Sequence, residues 1–261
     1  MRPARMAGGR PARLRRPSAV PSDQYAPPAV RPRGARTRSA TDMPAVPAVP
    51  EQLADLPYAD LLTPHRGALQ SGARYDTVHF EGEGPTGGAA GASFLECAFT
   101  GVELHGTVLR TARWNEVWLQ GCRLVAADLA ETEWQDAVVL GSVLAGISWY
   151  GSQVRRTVLR GCKLESVNLR GAVLRDVVFE DCLLRDVDLG GAKLTGVSFP
   201  GSTLDGVRFA GARMADVDLR GAVRLGLPDG HQGLSGAVLG TGQLFELAPQ
   251  FAHALGITVK D

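Results

Sequence analysis

From Ala92 to Leu219 the chain repeats one five-residue frame without insertion. Its centres run Phe94, Phe99, Leu104, Leu109 and onward to Phe209, Met214 and Leu219, all apolar and most often Leu. Two residues before each centre stands a small side chain: Ala92, Cys97, Val102, Thr107, Ala112 and so on to Val217, with Ile147 the larger exception. The position between is free to be polar, as at Asp128, Asn168, Asp188 and Asp218. Two residues after the centre the chain often has Gly, as at Gly101, Gly121, Gly141 and Gly161.

A period of five fits neither regular element. On an α-helix each residue turns ~100°, so every fifth residue falls on a different face. On a plain strand the sides alternate, so an odd spacing sends successive leucines to opposite faces. The pattern is consistent only if the chain turns once per repeat and resets which side is inside. The centre and the small residue two before it then point inward together. Gly suits the turn because it adopts positive φ at little cost. One such coil has no core of its own, so stability must come from stacking coil on coil.

The stretch GAVLRDVVFEDCLLRDVDLGGAKLTGVSF (171–199) resembles the pentapeptide repeat family, whose motif is roughly A-(D/N)-L-x-x. The resemblance covers about half of the chain. It implies an all-β fold, a right-handed quadrilateral β-helix with four repeats per coil. That gives about six and a half coils and ~30 Å of stacked strands. At the implied period of 20, Trp114 aligns with Trp134 and Cys162 with Cys182.

Four segments follow. Residues 1–50 hold ten Arg and two Asp among many Pro and Ala, and show no apolar period. They read as a disordered leader, dispensable if translation starts at Met43. Residues 51–91 contain a short amphipathic segment, with Leu53, Leu56, Leu61 and Leu62 as its contacts, and the Gly-rich loop GEGPTGGAAG (82–91). That loop lacks the Gly-Lys-Ser/Thr ending of a phosphate cradle. Residues 92–224 are the solenoid, and the frame fails at Arg224. Residues 225–261 hold a turn, one last repeat (GAVLG, 236–240) and a helical cap in which Leu244, Leu247, Phe251 and Leu255 share a face and Gly256 is the stop. An open solenoid end needs such a cover.

The sequence offers little chemistry. There is no nucleophile elbow, no His-Glu-x-x-His and no Walker sequence. The histidines are scattered, His105 falling at an outward position. Cys162 and Cys182 read as small buried filler stacked one coil apart, within disulfide reach. With no Cys-x-x-Cys pair, no metal and no cofactor are expected. A filled axis leaves no interior cleft, so no enzyme and no small-molecule substrate are expected either. No run approaches the ~18 apolar residues of a membrane span, and a cytoplasmic protein with reduced thiols is expected.

The surface carries more information. On one implied face the outward positions read Ala98, Trp118, Val138, Val158 and Val178, with Leu140 beside them. Such a ladder suggests a contact surface, unless the N-terminal segment or the cap folds over it. At the turn leading into that face stand Glu96, Glu116, Asp136, Arg156, Asp176, Gly196 and Asp216, acidic but interrupted. The expected role is a protein–protein interaction scaffold, with the ladder or Phe251 of the cap as the contact and a homodimer as one form. The family resemblance implies an alternative. Members with fluoroquinolone-resistance activity resemble B-DNA in shape and charge and act on DNA gyrase as dimers. That role wants a strongly negative rod. Residues 92–222 carry 16 acids and 14 bases (14 − 16 = −2), and include Arg155, Arg156, Arg160, Lys163, Arg170 and Arg175.

Overall fold

Every fifth residue from Glu96 to Asp216 has a left-handed backbone, with φ between +45° and +71°. These residues are the corners of the coil. About half are Gly; the rest include Asp136, Asp176, Asp181, Asp186 and Asp216, and aspartate tolerates this region better than most side chains. The computed structural model describes residues 48–82, 87–228 and 231–260. Nearly all of the Arg-rich leader lies outside them.

Between corners run strands of about three residues whose partners stand 20 residues away. Glu133 pairs with Arg113 on one side and Gln153 on the other, and Trp134 with Trp114 and Val154. Twenty residues and four corners make a coil four-sided, as the resemblance implied. The first face carries Arg113–Asn115, Glu133–Gln135 and their successors; the second carries Trp118–Gln120, Val138–Leu140 and theirs. These two faces form one 13-stranded parallel sheet, because Gln153–Arg160 and Val173–Glu180 run through the corner as unbroken strands. The third face is a seven-stranded sheet that includes Glu103–His105 and Arg123–Val125. The fourth is a row of single bridges from Val108 through Asp128, Ser148, Asn168 and Asp188 to Arg208.

The axis is filled as the frame requires. Leu169 and Leu174 are each 1% exposed, and the small positions Ala92, Cys97, Ala112 and Ala172 are sealed. Because register repeats every coil, like side chains stack. Phe94, Trp114 and Trp134 lie ring over ring at 4.3 and 4.6 Å, and Phe179 sits over Phe199 at 5.1 Å. Such offset stacks add to the burial of each ring. Hydroxyls inside are satisfied: Thr132 meets Ser152 at 3.0 Å and accepts from Trp134 Nε1.

The solenoid is longer than the frame predicted, about eight turns. Tyr75 pairs with Phe94 at a step of 94 − 75 = 19, so a coil precedes Ala92. Thr63–Pro64 pairs with Val78–His79 below it. At the other end Leu225 pairs with Leu204 at 225 − 204 = 21 and Arg224 with Thr203, so one residue is inserted ahead of Arg224 and the coil continues past it. One residue lost or gained outside the paired strands keeps the inward register while breaking the sequence period. Ala237–Val238 then pairs with Val217–Asp218.

The helix Thr241–Ala254 closes the end. Leu247 is buried, Phe251 packs half-buried against the core, and Gly256 (φ +71°) donates to the His253 carbonyl as the expected stop. Gln243 Nε2 donates to the Leu219 and Ala222 carbonyls at 2.7 and 3.2 Å, satisfying edge groups that would otherwise be open. The shared face is only half used. Leu244 and Leu255 point to solvent.

Candidate interaction surfaces

The apolar ladder on the second face is not open. Ala98, Trp118 and Leu140 are buried together with Leu56 and Tyr58 of the N-terminal segment, and Val49, Leu53, Ala59, Leu62 and Val138 pack around them. That segment is a strap built from two 3₁₀ turns, Leu53–Asp55 and Ala59–Leu61. Asp55 accepts from the Gln52 N–H and closes the first turn. Polar bonds fasten both strap ends. Trp118 Nε1 donates to the Pro50 carbonyl at 3.1 Å, Gln120 to the Glu51 carbonyl at 3.1 Å, and the Tyr58 hydroxyl to the Glu116 carbonyl at 2.8 Å. The Glu51 carboxylate reaches Arg160 at 3.4 Å. Trp118, 1% exposed, is therefore an anchor within the chain, which corrects the expectation of an exposed anchor. Farther along the ladder Val158 is buried and Val178 half-buried. Leu61, expected to make contact, is 66% exposed.

Burial raises the Tyr58 phenol well above its ordinary 10.0, with Cys97, Glu116 and Glu96 adding to the shift. The neutral form is thus the docked form. Strap stability from this group is complete below pH 10 and falls as pH rises through the unfolded value, by up to ~1.4 kcal/mol per pH unit. Tryptophan emission is expected to shift red between about pH 10 and 11.5 as Trp118 is uncovered. The shift should be absent in Tyr58→Phe; its persistence there would show that another group opens the strap.

The acidic corner is real but neutralised in part. Arg156 forms a two-pronged pair with Asp136, 2.6 Å on each arm. The Arg156 hydrogen bond holds the Asp136 carboxyl below its usual range. The third face alternates in sign, with Arg123 beside Glu103 and Arg185 between Glu165 and Asp205. Beneath three successive corner glycines lie Asp176, Asp181 and Asp186; a methyl group on Gly196, Gly201 or Gly206 would fall on a carboxylate oxygen.

Residues 140–209 match the family model described as a pentapeptide repeat region. The chain therefore contains a pentapeptide repeat region. Solved structures with similar folds include a trypsin-treated form of QnrB1, a plasmid-mediated fluoroquinolone resistance protein. It is 19% identical, covers 76% of this chain and 96% of its own, and has a TM-score of 0.43. A pentapeptide repeat protein from the Arabidopsis thaliana thylakoid lumen is 22% identical over 42% of this chain and 76% of its own, at 0.36. HetL, from the cyanobacterium Nostoc and involved in heterocyst differentiation regulation, is 19% identical over 63% and 93%, at 0.28. Among curated proteins there is no significant match.

The four cysteines are free and buried. Burial pushes the Cys97 and Cys122 thiols up to about 11, and the neighbouring Cys162 sulfur together with burial pushes Cys182 up. Each thiol donates to backbone carbonyls, Cys162 to Val139 at 3.3 Å and Cys182 to Leu159 at 3.3 Å, which suits filler. Among the described residues no group of three His, Cys, Asp or Glu could hold a metal ion, and no helix is long and apolar enough to cross a membrane. His105 is exposed on the third face. What sequence reasoning missed is the strap's polar fastening, whose bonds join residues 58 to 69 positions apart.

Proposed function

We propose that this protein is a non-catalytic scaffold that binds protein through its C-terminal end. One observation carries this reading. The cap covers the last coil with Leu247 and Phe251 and leaves Phe245 74%, Leu255 76% and Val259 71% exposed, with Leu244 and Ile257 beside them in sequence and also exposed. Five large apolar side chains exposed within residues 244–259 point to a contact. A second copy of the chain is the partner that fits, since two such ends are self-complementary in chemistry and a closed two-fold contact buries both. The paired and alternating charges on the corner and third face support a scaffold over a DNA-like gyrase binder, which needs one continuous negative face.

Sedimentation velocity tests this. The wild type is expected to run as a dimer at high micromolar concentration, burying roughly 800 Å² per partner. Phe245→Asp with Leu255→Asp should give monomers with unchanged circular dichroism. Phe251→Asp should do the same and also lower the melting temperature, because Phe251 packs on the core. A wild type that stays monomeric overturns the second copy as partner.

A further inference from the structure

We infer that the first face is a docking surface for an extended, carboxylate-rich peptide segment. This deepens the scaffold reading and rests on it only in taking the partner to be protein.

Two observations meet on this face. The first is an uncompensated row of cations. Arg155 stands directly opposite Arg175, and Lys193 directly opposite Arg213, in the registers of neighbouring coils. All four are exposed, and none has an acidic partner among the described residues. Like charges opposed at a strand spacing of ~4.8 Å are destabilising. The third face, built by the same 20-residue repetition, instead sets Glu103 against Arg123 and Arg185 against Asp205. The first face therefore keeps a repulsion that the fold itself does not require.

The second observation is a cavity of about 430 Å³ on the same face, which meets the cations at Arg155. Its polar lining is Arg113, Asn115, Glu133, Gln135, Gln153 and Arg155. Guanidinium and amide N–H groups dominate that lining, and the acid in it, Glu133, lies 3.7 Å from Arg113. Carboxylates are what such donors take, in two-pronged contact with Arg above all.

Shape selects the peptide. From Arg113 to Arg213 the face rises five coils, ~24 Å, a length spanned by about seven extended residues. A face three residues wide is only ~10 Å across. A nucleic-acid duplex would overhang it and press phosphates onto Glu116, Asp136, Asp176 and Asp216 at the adjoining corner. For a single strand, the two indoles that line the cavity, Trp114 and Trp134, are 1% and 2% exposed, so bases have no open aromatic face on which to stack. A narrow chain of carboxylates can cross the face from Arg155 and Arg175 on its corner-side edge to Lys193 and Arg213 on the other edge.

The test uses the full chain and a fluorescein-labelled decaglutamate, read by fluorescence anisotropy at low and at 150 mM salt. The Arg-rich leader attracts the same probe, so the result is the difference between wild type and variant. Arg155→Glu with Arg175→Glu is expected to weaken binding about ten-fold or more. Arg175→Glu alone should weaken it by more than Lys163→Glu, which makes the same charge change on the third face. If the double reversal melts below the wild type, Arg155→Gln with Arg175→Gln replaces it, with about a three-fold loss expected. Three results overturn the proposal: equal affinity in wild type and variants, equal losses for Arg175→Glu and Lys163→Glu, or a deoxythymidine decamer that binds as tightly and is lost with the same variants. None of these touches the dimer measured by sedimentation, so a failure here is separable from a failure of the C-terminal contact.

Discussion

Leu169→Asp should leave this protein without a cooperative fold at its centre. Leu169 is 1% exposed and sits on the axis. Removing the leucine leaves part of the site unfilled, a loss in the range of a few kcal/mol, and the carboxylate must then either remain charged without a partner or be protonated. The sum is about 5 kcal/mol or more, comparable with the whole stability of many domains. Each coil contacts only its neighbours, so the damage has no other layer to absorb it. Leu169→Ala, at about 3 kcal/mol, keeps the loss measurable. The expected data are a clearly lowered melting temperature for Leu169→Ala and little soluble, folded protein for Leu169→Asp. A wild-type melt for the Asp variant would mean that residue 169 is not on the axis.

The repeat was legible because its signal is local and redundant. Each corner, small position and centre is written within five residues, and stacking preserves that register coil after coil. The ends were not legible for a physical reason. A coil needs its inward side chains aligned with those of the next coil, and an odd residue can be taken up outside the paired strands. Tyr75 over Phe94 and Leu225 over Leu204 keep that alignment at steps of 19 and 21, so the period fails while the structure continues. The outward ladder shows a different limit. Trp118, Val138 and Leu140 look like an exposed stripe when the frame alone is considered, because the frame says which side is outward and nothing about what lies on it. The strap that covers them is fixed by pairings such as Trp118 with Pro50, and no spacing rule encodes those. The cap was half legible. Its helix, its stop at Gly256 and the burial of Leu247 followed from pattern, whereas the exposure of Leu244 and Leu255 depends on how the helix lies across the last coil.

Trp118→Ala is expected to release the strap and leave the solenoid standing. The indole is 1% exposed, fills the centre of the cluster formed with Leu56, Tyr58, Ala98 and Leu140, and holds the Pro50 carbonyl at 3.1 Å. Truncating a buried aromatic of this size costs about 3–5 kcal/mol. The cost falls on the strap, because Val117 and Leu119 on either side still fill the axis. The strap has few other attachments: the Tyr58 hydroxyl, the Gln120 amide and an ion pair of Glu51 with Arg160, the last between partly exposed groups and worth little. Amide hydrogen exchange should therefore rise sharply across residues 53–62 and stay unchanged across 164–204, and limited proteolysis should cut in the strap first. Circular dichroism should keep its strand signature. Sedimentation should not change, since Trp118 is spent on contacts within the chain. Loss of the dimer in Trp118→Ala with exchange in the strap unaltered would return Trp118 to the role of an intermolecular anchor. Collapse of the whole solenoid would show that the strap is part of the core and not a cover laid upon it.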